Sequence, residues 1–293
     1  MNFIDFARAH GIEIRDLHPM DKIQRCGTTE KPRSKNGAYF WDGRRGWVFA
    51  WDGEGVAHWY DDPNAAPWTE EDKKAWRAQK DSQKAKAADA QRKAAQRAAQ
   101  MLRTAVPGTH DYLFRKRLPD AQGLVLPDGG LLVPMRDFST NELLGAQVIR
   151  WTDTEEQPGV MRWQKKMTYG MRATGAVLRL GPSSAAETVL CEGYATGLSI
   201  DAALRQMRLN ASTLVCFSDF NMTHVAGMLK SGRRYVFADN DKSGAGQRAA
   251  KQTGLHYCMS PVLGEDANDL HARAGLLAVC ELLMQVRKGE SVT

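Results

Sequence analysis

The sequence is poor in the residues that build several common sites. It has five cysteines in 293 residues, and Cys26, Cys191, Cys216, Cys258 and Cys280 form no CxxC pair. An odd, scattered set argues against a disulfide framework and against a four-cysteine zinc site. The longest apolar runs fall well short of the ~20 residues that a membrane-spanning helix needs. The opening MNFIDFARAH lacks a basic-then-apolar signal region, so a cytoplasmic protein with no membrane partner is expected. No G-x-x-x-x-G-K-[ST] loop is present, so no P-loop motor is expected in this chain. The histidines, His18 among them, show no ligand spacing and read as structural.

What is present is an ordinary globular composition, 43% hydrophobic and 25% charged, with a net charge of +6. The length corresponds to about two domains. The charge is uneven. Residues 66–105 hold 10 basic and 5 acidic side chains, whereas residues 183–293 hold 11 of each. A mildly basic balance permits a polyanionic partner without requiring one.

Four segments follow from the pattern. In residues 1–65, Asp42-Gly43 and Asp52-Gly53 sit between aromatic flanks and read as hairpin turns. A small β-rich module is expected, with Trp41, Trp47, Trp51 and Trp59 on its faces. Those rings serve as core or, beside Arg44 and Arg45, as stacking surfaces for bases. Residues 66–105 read as one long basic helix, a solvated linker or a surface lying along phosphates. Thr69 and Asp72 mark its start, and it stops before Pro107-Gly108. Residues 106–182 alternate a short helix, strands and turns, a small α+β module presenting Arg136, Arg150, Arg162, Lys165, Lys166 and Arg172. In residues 183–293, short apolar strands alternate with helices, including a helix over 222–231 and one long helix over 266–286. That alternation indicates βαβ units and a parallel sheet flanked by helices.

The acids of this last segment fall at strand ends. Glu192 follows the strand ETVLC, Asp239 and Asp241 follow YVFA, and Asp266 and Asp269 follow HYCMSP and a short loop. Ligands of such sheets bind outside the carboxyl ends of the strands. Clustered carboxylates repel one another unless a cation or a proton intervenes. Oxygen-only ligands suit Mg²⁺ or Mn²⁺, and paired ions of this kind serve phosphodiester chemistry. Gly193 permits close backbone approach beside Glu192. Gly244 and Gly246 place amides at a helix start where phosphate can bind.

CEGYATGLS (191–199), FADNDKSGAGQRAA (237–250) and GEDANDL (264–270) resemble the three motifs of the TOPRIM domain. That fold is shared by bacterial-type DNA primases, topoisomerases and some nucleases. Upstream, RWQKKMTYGMRATGAVLRLG (162–181) is similar to the basic subdomain preceding TOPRIM in phage and plasmid primases. The resemblance implies that Glu192 is a general acid/base or metal ligand and that Asp239 and Asp241 hold Mg²⁺. It further implies that Asp266 and Asp269 form the last acidic motif. Lys165, Lys166 and Arg172, with Arg150 and Arg162, would then meet template or nucleotide. Asn221 stands where relatives often carry an asparagine. Such primases usually begin with a zinc ribbon, but Cys26 has no cysteine partner nearby. Residues 24–53 are compatible with a ribbon that has lost its ligands, and no zinc is expected.

The implied function is a primase-like nucleotidyltransferase of phage or plasmid replication. It would use a single-stranded DNA template, ribonucleoside triphosphates and a separate replicative helicase. The alternatives are a metal-dependent TOPRIM nuclease and a non-catalytic DNA-binding replication factor.

Overall fold

The computed structural model describes residues 1–17, 23–51, 56–154 and 157–289, and the chain divides into two compact units, Met1–Lys80 and Asp81–Thr293. His18 and the Asp52-Gly53 turn lie outside the described residues. In the first unit, α1 (Phe3–Ala9) precedes β1 (Ile12–Glu13), β2 (Gln24–Thr28), β3 (Gly37–Trp41), β4 (Arg45–Ala50) and β5 (His58–Asp61). The strands pair in chain order as an antiparallel meander. The β3–β4 turn is set by Asp42, whose carboxylate accepts from the amides of Arg44 (2.8 Å) and Arg45 (2.6 Å). Strand alternation sorts the aromatics. Tyr39, Trp41 and Tyr60 enter the core with Phe3, which stacks on Trp41 at 4.6 Å, while Trp59 stays exposed on the other face. Cys26 packs at the edge of this core as a free thiol, and burial pushes it up to about 11.

Helix α2 (Glu70–Thr104) opens with a reciprocal cap: the Thr69 amide donates to Asp72 (3.0 Å) and the Asp72 amide donates to the Thr69 hydroxyl (3.1 Å). Its length is about 52 Å at 1.5 Å per residue. The solvated-linker expectation fails for its C-terminal part. There, small side chains let the helix approach a sheet, and Ala98 packs with Met101 and Leu102 against Leu126, Leu132 and Val148.

The second unit continues with β6 (Val106–Gly108), α3 (Asp111–Arg115), β7 (Gly123–Val125), β8 (Leu131–Asp137), β9 (Leu143–Thr154), β10 (Gln157–Met167) and β11 (Ala176–Leu180). Then come β12 (Glu187–Cys191), α4 (Tyr194–Gln206), β13 (Ala211–Val215), α5 (Asp219–Met228), β14 (Arg233–Ala238), α6 (Ala245–Gln252), β15 (His256–Met259), α7 (Ala267–Ala274) and α8 (Leu276–Arg287). The main path of the sheet runs β10-β9-β8-β11-β13-β12-β14-β15, with β7 added to β8 and β6 to β7. Strands β13, β12, β14 and β15 are parallel, and β11 joins them antiparallel to the upstream strands. The α+β module and the C-terminal domain therefore share one continuous sheet.

Both faces of the parallel part are covered, and its strands bury apolar side chains on each. Val189, Cys191, Tyr235 and Phe237 face α4, α7 and α8 through Ile200, Leu204, Leu270 and Leu283. Leu190, Val236 and Ala238 face α5 and α6 through Met222, Val225 and Ala250. Two expected helices differ from what forms. Helix α5 starts at Asp219 rather than 222, because the Ser218 hydroxyl caps it by accepting from the Asn221 amide. The helix expected over 266–286 is two helices, because Gly275 adopts φ +86° between α7 and α8. Among the described residues no helix is long and apolar enough to cross a membrane.

Candidate metal centre

The strand order β13-β12-β14-β15 puts β12 between the next two strands in sequence. The chain leaves β12 toward one side and later crosses to the other, a switch point whose carboxyl end opens a crevice. Glu192, directly after β12, therefore has Asp219 beyond β13 on one flank and Asp239 beyond β14 on the other.

Local geometry aims these acids at one another. The ladder continues past β13, with the Cys216 amide donating to Cys191 O (2.8 Å) and the Phe217 amide to Glu192 O (2.9 Å). Phe217 then takes a left-handed backbone, φ +66°. That conformation costs a non-glycine residue of order 1–2 kcal/mol and is typical of functional turns. It brings Asp219 to Glu192, where the protonated Glu192 carboxyl donates to Asp219. On the other flank, Gly246 fits α6 against Asp239, since a Cβ there would collide with the Asp239 carbonyl.

The electrostatics show the consequence. Burial, the charge of Asp219 and the hydrogen bond to it raise Glu192 to about 7, against the pull of Lys165. Asp219 is also raised, mainly by burial. Burial followed by the charges of Asp266, Glu192, Asp219 and Asp241 lifts Asp239 to about 8. Asp239 Oδ1 is buried and has no hydrogen-bond partner. A carboxylate oxygen stranded among other carboxylates is a costly arrangement that a cation would relieve. At the opposite end of β12, by contrast, Glu187 forms a two-armed pair with Arg287 at 2.7 and 2.8 Å.

The remaining predicted acids are occupied locally. Burial favours the neutral form of Asp241, but bonds from the Gly246 amide, the Ser243 hydroxyl and amide and the Ala245 amide outweigh it and hold the carboxyl at about 2. Those amides cap α6 with Asp241, so they do not stand open to phosphate as the glycines suggested. Asp266 caps α7, accepting from the Asp269 amide (2.8 Å) and the Thr196 hydroxyl (2.9 Å). Asp269 returns a bond to the Asp266 amide (3.4 Å) and pairs with Lys116 (3.3 Å). As they stand, no group of three His, Cys, Asp or Glu side chains among the described residues is arranged to hold a metal ion. Glu192 is turned to Asp219 and Asp241 to its own helix. The oxygen donors that a hard cation would have to draw together are Glu192, Asp219 and Asp239, of which Asp239 carries the unpartnered atom.

The basic residues separate by strand face. On β10, Trp163 and Lys165 lie opposite Trp151 and Ile149 of β9 and share their face. Ile149 and Trp163 pack on α3 through Tyr112. A flat sheet would leave β10 about 24 Å from β12 at 4.8 Å per strand step. Lys165 nevertheless acts on Glu192, pulling its raised carboxyl back toward the charged form. Lys166 lies opposite Val148, on the α2 side, and Arg150 and Gln164 share that face. Arg150 pairs with Asp128 (2.6 Å), and Arg172 with the largely buried Asp137. Arg162 is exposed and lies opposite Thr152, on the face of Gln164 and Lys166 rather than that of Lys165. Of the predicted cations, Lys165 is the one the structure brings to the acids.

Asn221 is a clamp. Its amide nitrogen donates to Ala176 O (2.7 Å) and Cys216 O (2.8 Å), and its oxygen accepts from the Gly175 amide (2.7 Å). It ties α5 to β11 and β13, which fixes the neighbouring Asp219. Asp219 itself was missed in the sequence, although it follows a strand by the same rule that selected the others.

Residues 187–276 match the sequence profile of the Toprim domain. This chain contains a Toprim domain. The match covers Glu192, Asp219, Asp239, Asp241, Asp266 and Asp269 together. Toprim domains are typical of enzymes acting on nucleic acids, and they bind Mg²⁺ through acidic residues. A comparison of the chain with curated proteins gives no match.

Proposed function

We propose that the chain is a primase-like nucleotidyltransferase, joining ribonucleotides on a single-stranded DNA template with Mg²⁺ at the Toprim acids. The observation that carries this reading is the buried Glu192–Asp219–Asp239 cluster with Lys165 of the upstream module drawn up to it. A cation from the upstream module at the acid site fits a substrate that carries several phosphates.

Glu192, Asp219 and Asp239 would hold the Mg²⁺, with Asp241 and Asp266 adding negative potential around it. When bound, the ion supplies charge stabilisation at phosphoryl oxygens. The chain's own residues do the rest. Lys165 attracts the anionic phosphates. The Glu192 carboxylate can take up a proton from an attacking hydroxyl. Asp219 holds the Glu192 carboxyl in place, and Phe217 and Asn221 hold Asp219. A separate replicative helicase is the expected partner.

The test is a primer-synthesis assay with single-stranded template, labelled ribonucleoside triphosphates and Mg²⁺ or Mn²⁺. Oligonucleotide products that vanish in Asp239→Asn support the proposal. Metal-dependent loss of labelled DNA without triphosphates would replace it by a nuclease. Strand binding with neither chemistry would replace it by a binding factor.

A further inference from the structure

A second feature of the same unit is built from rings rather than acids. Trp151 and Trp163, directly opposite each other on β9 and β10, lie 5.2 Å apart between ring centres at 58°. They line two adjoining clefts. One, of about 630 Å³, also carries His110, Phe114 and Arg150. The other, of about 280 Å³, also carries Tyr112, Arg115 and Lys116. Large apolar surface is left uncovered here: Phe114 is 71% exposed and Trp151 43%. The Arg115 guanidinium lies over the Trp151 ring at 4.9 Å.

Two polar atoms add to the case. Trp163 Nε1 and Tyr112 Oη are buried and have no hydrogen-bond partner among the described residues, and Tyr112 is only 2% exposed. Buried donors of this kind usually find partners. Positive charge also collects in the chain segment beside the clefts. Residues 115–117 are Arg-Lys-Arg, and Arg115 and Arg117 make no ion pair among the described residues. Arg117 has φ +56°, so a long cation stands at a helix end where glycine is favoured. The acids at the cleft are partly answered, since Asp128 is paired with Arg150 at 2.6 Å.

We propose that the Trp151/Trp163 cleft is a stacking site for unpaired bases of a single-stranded nucleic acid, with Arg115 and Arg117 on the flanking phosphates. Accessible ring faces beside cations suit unpaired bases, since every base has a π-face and every link an anion. A duplex keeps its bases stacked on one another and offers these rings nothing. The strand face that carries Trp163 also carries the cation that acts on the acids. Lys165, two residues beyond Trp163 on the same strand face, lies 5.8 Å from the Tyr112 ring and acts on Glu192. The inference rests on the reading of this chain as acting on nucleic acid, but it predicts binding that needs no metal.

The experiment is fluorescence anisotropy of the full chain in EDTA, with labelled oligothymidylate, oligouridylate and a duplex of the same length. The expected result is binding of the single strands and much weaker binding of the duplex. The thymidylate and uridylate arms decide whether DNA or RNA is the preferred source. Trp151→Ala should weaken single-strand binding roughly tenfold or more, with Trp151→Phe largely restoring it. Phe114→Ala, at a largely exposed position, tests the same cleft if the Trp151 variant fails to fold. Wild-type failure to bind single strands, equal affinity for duplex, or Trp151→Ala and Phe114→Ala both binding normally would each overturn the proposal. Product formation without metal-free strand binding would sink the cleft alone; strand binding without product would sink the nucleotidyltransferase reading alone.

Discussion

Asp239 directly follows β14 and Asn221 stands in α5 beyond β13, the strands on either side of β12, and the two do opposite work. Asn221 uses its oxygen and both amide hydrogens on backbone groups, so Asn221→Ala strands the Gly175 amide and two carbonyls. The expected loss is about 2–4 kcal/mol of stability, read by urea denaturation. A change under ~0.5 kcal/mol, the scatter of ordinary surface substitutions, would show that the clamp is not holding α5. Asp239 is instead a destabilising residue in the metal-free protein, with a buried oxygen lacking a partner and a pKa near 8. Asp239→Asn keeps the shape and removes the charge. In EDTA at pH 8 it should raise the melting temperature, by a free energy on the order of a few kcal/mol, while abolishing metal-dependent product. A variant that melts lower than the parent would show that the carboxylate is not strained.

At the scale of elements, packing against the backbone decides whether the acids meet. Helix α6 lies so close to Asp239 that Gly246 has no room for a Cβ against the Asp239 carbonyl. Gly246→Ala should cost about 1–3 kcal/mol and displace Asp239. Activity should then fall further than stability, as judged by assay below the melting range. Much of this level was legible in advance. The alternation of short apolar strands with helices foretold a parallel sheet, as the β12–β15 order shows, and acids were read after three of its four strands. Less legible were features set by single backbone angles. Gly275 looked like a tolerated glycine inside one apolar helix, because the Leu-Leu-Ala-Val run after it keeps helical periodicity; its φ of +86° breaks the helix. Asp219 was hidden for a similar reason, since the left-handed Phe217 that turns it toward Glu192 has no glycine to announce it. Strand pairing also decided which cations face the acids. Lys165 and Lys166 are adjacent in sequence yet point to opposite faces.

For the whole molecule, the carboxylates set how stability depends on pH. Glu192 and Asp239 have folded pKa values of about 7 and about 8, above those of unfolded carboxylates. Between those limits the folded chain binds more protons than the unfolded chain, so their contribution is fully present below about pH 4 and is lost as pH rises toward 8. Asp241, held at about 2, has the opposite sign. Its contribution is present above the unfolded carboxylate pKa, near 3.9, and is lost as pH falls through about 2. Without metal, stability should therefore peak in the acid range and decline between roughly pH 5 and 8. Bound Mg²⁺ neutralises the same acids and competes with their protons, so its stabilising effect should grow over that interval. Thermal melts from pH 5 to 8, with EDTA and with excess Mg²⁺, read both trends at once. The two curves should converge near pH 5 and separate steadily toward pH 8, and Asp239→Asn should flatten the EDTA curve and bring the Mg²⁺ curve down onto it. Parallel curves at all pH values would mean that Mg²⁺, if it binds, does so away from Glu192, Asp219 and Asp239.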